Sequence, residues 1–187
     1  MTCLSHLRRG ALALALLLPA LAGAQNTLDL QKSSIVAGFK QMGVPLDGKF
    51  KQFALDMQFD PAKPAQTKVR IDVNMNSFDI GDESYNKEVR SKTWFNAAGF
   101  PKATFVSSAV RQTAPGRYLV DGQLSIKGAT SPVSIPVQMS QNANVLTFDG
   151  TLPIKRLQFN IGEQEWKDTS LVADEVTLKF RLVTTGK

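Results

Sequence analysis

The chain reads as all-β, an eight-stranded antiparallel barrel with one short helical insertion. Apolar and polar residues alternate with a period of two along eight separate runs. Turn-forming residues punctuate the gaps between those runs. Helical periodicity is nearly absent, apart from one stretch near residues 82–91.

The first 24 of the 187 residues read as a secretory signal peptide. Arg8 and Arg9 supply a charged head, residues 11–21 form a short apolar run, and Ala22-Gly23-Ala24 offers a small-residue cleavage site. Residues 25–187 then suit one domain, large enough to bury roughly 70% of its unfolded surface. The expected fate is export across a membrane. Of the formal net charge of +6, Arg8 and Arg9 account for two, so the exported chain is modestly basic.

The strands follow in order. Ile35, Ala37 and Phe39 share one face. Phe53, Leu55, Met57 and Phe59 alternate with Gln52, Ala54, Asp56 and Gln58. Val69, Ile71, Val73 and Met75 alternate with Lys68, Arg70, Asp72 and Asn74. Phe105, Ser107 and Ala109 make a weaker run. Four more follow: Tyr118 to Ile126, Val133 to Met139, Leu146 to Ile154, and Val176 to Leu182. Each is a half-buried strand with one wet face. Asp47-Gly48, Asp60-Pro61, Pro115-Gly116, Gly128 with Pro132, and Gln141-Asn142 read as turns, and the glycines as turn residues. The insertion begins at Asp82, a good N-cap, and continues through helix-forming residues to Ser91. It sits in the longest break in the pattern, residues 77–101.

Eight strands with one apolar face each hide that face in a closed barrel or a two-sheet sandwich. Short connections and long strands favour an up-and-down barrel. Such a barrel is either filled by its own side chains or holds one small ligand. Periodicity leaves both open, with the filled core the plainer reading.

The chemistry is restricted. The only Cys and His are Cys3 and His6, inside the signal segment. The exported chain therefore offers no thiolate, no imidazole base and no His or Cys metal site. The acidic groups Asp79, Asp82 and Glu83, and Glu163, Glu165 and Asp168, lie in loop-like stretches and read as solvated surface. No phosphate loop or dinucleotide fingerprint occurs. The basic residues are scattered, so a nucleic-acid partner is not expected. Neither a cofactor nor an enzymatic role is expected. Lys155-Arg156 is the sharpest basic pair, at a strand end. It is a candidate for an anionic head group, with two exposed charges as the plainer reading.

Several stretches together resemble the YceI-like family of bacterial periplasmic proteins. They are Ser33-Ser34-Ile35-Val36-Ala37-Gly38-Phe39, Phe59-Asp60-Pro61, the Pro101 to Phe105 element, Gly122-Gln123-Leu124-Ser125-Ile126-Lys127-Gly128, and Arg156-Leu157-Gln158-Phe159-Asn160-Ile161-Gly162. The resemblance spans the exported chain. It implies a lipocalin-like barrel with an apolar tunnel that binds a polyisoprenoid or similar amphiphile, such as an isoprenoid quinone or prenyl diphosphate, without catalysis. It also shifts the expected interior from filled core toward cavity. Lys32 and Gln41 stand where many relatives resemble one another in having His, which implies different head-group contacts here.

On this reading the partner is a long-chain isoprenoid or other lipid, with transient membrane contact and a dimer both compatible. The expected inward, lipid-binding residues are Phe39, Phe53, Leu55, Met57, Phe59, Val73, Met75, Leu124, Phe148 and Phe180. Lys155 and Arg156 are the head-group candidates. The rival reading is a periplasmic stress or interaction protein with a filled barrel and a protein partner.

Overall fold

The computed structural model describes residues 26–185, so the expected signal peptide lies outside the described residues. Strands β1 (Thr27–Leu28), β2 (Ser34–Gln41), β3 (Val44–Phe50), β4 (Phe53–Gln58), β5 (Lys68–Asn74) and β6 (Phe78–Asp79) precede helix α1 (Glu83–Arg90). Strands β7 (Lys102–Ala114), β8 (Arg117–Ile126), β9 (Ala129–Asn142), β10 (Val145–Lys155) and β11 (Glu175–Thr185) follow it. All pair antiparallel in one sheet, in the order β4-β5-β7-β8-β9-β10-β11-β2-β3-β6, with β1 on β11.

That order forces the sheet to curl. Its path starts at β4 and ends at β3 and β6, yet only Lys51 and Gln52 separate β3 from β4. The two ends therefore lie within about 11 Å along the chain, at 3.8 Å per Cα step. Elsewhere along the seam, buried Asn26 bridges the edges. Its N–H donates to the Met57 carbonyl at 3.4 Å, and its Oδ1 accepts from the Phe59 N–H at 3.3 Å. The result is a curled half-barrel whose inward side chains form the core.

The all-β class and the helix agree with the sequence reading. The strand count is higher than the eight expected because Asp47-Gly48 belongs to strand β3 and because β1 and β6 are two-residue pieces. Asp47-Gly48 lies inside β3, where Gly48 pairs with Ala37. The glycines are not all at turns either: Gly38, Gly48, Gly122 and Gly150 sit within strands. Asp60-Pro61, Pro115-Gly116 and Gly128 do turn the chain, whereas Pro132, Gln141 and Asn142 lie in β9 and the turn after it comes at Ala143 and Asn144. Asp82 caps α1, its side chain accepting from the Ser84 and Tyr85 N–H groups.

Candidate functional site

The curled sheet is not filled. An apolar cavity of about 180 Å³ occupies the end of the barrel nearest α1. Ile35, Ala37 and Phe39 of β2 line it, with Ile71 and Val73 of β5, Leu124 and Ile126 of β8, and Val176 and Leu178 of β11. Period-2 alternation places these residues together, because every second side chain of each strand faces inward. A second, smaller cavity of about 60 Å³ lies deeper.

Eight of the ten expected interior residues divide between these spaces. Phe39, Val73, Met75 and Leu124 line the larger cavity. Met57, Phe59, Phe148 and Phe180 line the smaller one. Phe53 and Leu55 line neither; they are half-buried on edge strand β4, opposite Val73 and Ile71, and pack against the core.

Large rings would block this interior if they all pointed to its axis. Three are laid aside over glycines instead. A Cβ at Gly48 would overlap the Phe78 ring, one at Gly150 the Phe180 ring, and one at Gly122 the Phe105 ring and the Val106 carbonyl. A missing side chain on one strand thus gives room to a ring on the next. At the deep end, Phe59 meets Tyr118 edge-on at 5.5 Å and Phe148 at 5.2 Å between ring centroids. Offset edge-to-face contacts of this kind pack well.

The other end is framed by α1 and by the connections before β7 and β11. Tyr85, Glu88 and Val89 of α1 reach the larger cavity, with Trp94 and Phe95 just after it. The Trp94 and Trp166 rings lie 5.3 Å apart. The exposed side chains Met42, Tyr85 and Leu171 sit around this mouth. Tyr85 lines the cavity, and the Met42 N–H donates to the Leu171 carbonyl at 2.8 Å, next to cavity-lining Gln41 and Val172.

Arg156 is a fully buried cation, 1% exposed. Its Nε–H donates to the Ala173 carbonyl at 3.1 Å. Nη1 donates to Ile161 (2.8 Å) and Gly162 (3.3 Å), and Nη2 to Trp166 (2.6 Å) and Val172 (2.7 Å). A guanidinium has five N–H donors, and these five bonds use them all. The side chain also stacks on Trp94, with Cζ 5.5 Å from the ring centroid. Burial pulls its pKa down, partly offset by Asp174. Arg156 therefore ties residues 161–173 to the barrel end and keeps no donor for a lipid head. Lys155 is exposed on the outward face of β10, as alternation requires of its neighbour. Neither expected head-group cation therefore offers a free donor to the cavity.

Sequence reasoning also missed Lys127, in the turn after β8. Its Nζ donates to Asn160 O (2.6 Å) and to Glu163 (2.8 Å), although the residue is only 8% exposed. That ammonium holds the Glu163 carboxyl below the usual carboxylate range. Four of the other acidic candidates have local partners too. Asp79 accepts from Lys51, Asn86 and the Gly81 N–H, Asp82 caps α1, Glu83 pairs with Arg90, and Asp168 accepts from Ser170. Of the two positions departing from the family pattern, Gln41 lines the larger cavity, whereas Lys32 is exposed and paired with Asp29.

A model of the YceI-like domain matches residues 27–184. The chain belongs to the YceI-like family. A relative from Shewanella denitrificans, named a UPF0312 protein, is 35% identical over 134 residues, covering 70% of each chain. A Yersinia enterocolitica relative is 37% identical over 99 residues, 53% of this chain and 51% of its own. Among solved structures, Burkholderia cenocepacia BcnA shares 51% identity at a TM-score of 0.83, over 84% of this chain and 99% of its own. A polyisoprenoid binding domain from Saccharophagus degradans shares the fold at a TM-score of 0.68 and 17% identity, over 88% of this chain and 99% of its own.

Proposed function

We propose that this YceI-like domain is a periplasmic binding or carrier protein for a long-chain amphiphile. Its apolar tail, a polyisoprenoid, is held in the barrel interior. The observation that carries the reading is the larger cavity, about 180 Å³ and walled almost wholly by apolar side chains. Such a space offers little to a polar solute, and removal of each tail CH₂ from water contributes about 0.8 kcal/mol, less ordering costs. The Saccharophagus degradans domain of the same fold, described as binding polyisoprenoid, supports the choice of tail. The void counts against the rival of a filled barrel. Exposed Met42, Tyr85 and Leu171 at the mouth suit transient contact with a membrane surface during loading.

The test is organic extraction of the purified protein followed by mass spectrometry, with reconstitution by added isoprenoid alcohols. A stoichiometric long-chain lipid, recovered from the protein or taken up by it, is the expected result. Neither recovery nor uptake of any such lipid would overturn the reading.

A further inference from the structure

The two interior cavities share one wall residue. Along β5, Val69 lines only the deeper cavity and Val73 only the larger one, while Ile71 between them lines both. Ile71 pairs with Leu55 on one side and Phe105 on the other, so its backbone is fixed in mid-sheet. Two of the rings laid over glycine border these chambers, Phe105 over Gly122 at the larger and Phe180 over Gly150 at the deeper. Those rings are held against the wall. Among the described residues Ile71 alone borders both chambers, and its β-branching restricts the rotamers by which it could step aside.

We propose that Ile71 sets the length of apolar tail the barrel accepts. The proposal rests on the lipid-binding reading above. A short tail is accommodated in the larger chamber alone. A longer tail must displace the Ile71 side chain before its end reaches the deeper chamber, against the Phe59, Tyr118 and Phe148 rings. Ile71 is thus a specificity-determining residue, and tail length is the property it reads.

The experiment compares geraniol, with two isoprene units, and geranylgeraniol, with four, by equilibrium dialysis against the purified chain and its Ile71→Ala and Ile71→Phe variants. Ile71→Ala joins the chambers and should raise the affinity for geranylgeraniol relative to geraniol about tenfold. Ile71→Phe should weaken geranylgeraniol about tenfold relative to geraniol. If Ile71→Ala does not fold by circular dichroism, Ile71→Val replaces it, with a gain of about threefold in the same direction. An unchanged ratio of the two affinities in the folded variants would overturn the proposal and leave the lipid reading standing. Failure of the parent chain and all variants to bind either alcohol would overturn both.

Discussion

Replacement of Arg156 tests whether the mouth is organised by a buried cation. Its five N–H groups serve five main-chain carbonyls at 2.6–3.3 Å, all between residues 161 and 173. Hydrogen bonds from a charged donor contribute roughly 1.5–3 kcal/mol each, but members of one network do not add. Some of the freed carbonyls would recover water as the loop loosens. The expected loss for Arg156→Ala is therefore about 4 kcal/mol, the size seen when a buried charged network loses its centre. For a domain of this size that corresponds to a drop in Tm of about 8–16 °C. Arg156→Lys keeps the charge but brings three donors to five carbonyls, and should lose about 2 kcal/mol. Urea unfolding of lipid-free protein measures both. The lipid-free condition matters, because a head-group role would leave unliganded stability untouched and would be largely kept by lysine. A loss under about 1 kcal/mol for Arg156→Ala, or a lysine variant equal to the parent, would refute the assignment of Arg156 to the mouth loop.

Gly150→Ala places a methyl where the Phe180 ring lies; it should destabilise by about 1–3 kcal/mol in urea unfolding and weaken lipid uptake, with Phe180→Leu restoring stability. Asp82→Ala removes the cap of α1 and should lose about 1 kcal/mol, with faster release of bound lipid measured by exchange. Asp79 has its pKa lowered by the Lys51 bond, then by Asn86 and the Gly81 N–H. A carboxylate with a depressed folded pKa adds stability above its unfolded value, near 4, and loses it as pH falls from there toward the folded value. Stability should therefore fall below about pH 5, and Asp79→Asn should make that fall shallower in denaturation curves at several pH values. Ala103→Leu projects a larger side chain into the larger cavity; it should hold or raise stability by up to about 2 kcal/mol while abolishing lipid uptake, and unchanged uptake would place the lipid elsewhere.

Much of the barrel wall was legible because a strand with one dry face writes its orientation into every second residue. Val69, Ile71 and Val73 face inward as their spacing requires, and Asp82 announces α1 by its capping chemistry. β3 was not legible, since Pro45 and Asp47-Gly48 carry turn signals that pairing with β2 overrides. The distribution of open space was not legible either. Periodicity places Phe105 and Phe180 inward, but only strand register reveals that each ring falls over a glycine of its neighbour. The burial of Arg156 was not legible for a related reason. Its burial depends on residues 161–173 folding back over the barrel end, which no local pattern around a strand terminus records.

These details bear on why the cavity persists. A void in a protein core destabilises by roughly 24 cal/mol per Å³, so about 180 Å³ corresponds to roughly 4 kcal/mol of stability forgone. A core normally relaxes to reduce such a loss. Here the hydrogen-bonded sheet fixes the walls, and Phe105 and Phe180 are seated on Gly122 and Gly150 rather than free to swing inward. At the mouth, Arg156 and Lys127 hold the connecting segments through main-chain carbonyls, so the end of the barrel cannot settle into the space. Collapse would require breaking one of these arrangements. An apolar tail restores the missing contacts without breaking any of them, and a ligand at a hundred times its Kd adds about 2.7 kcal/mol to folding. The forgone stability and the binding energy are thus two measures of the same unfilled volume, which is why a substitution that fills it should strengthen the fold and weaken uptake together.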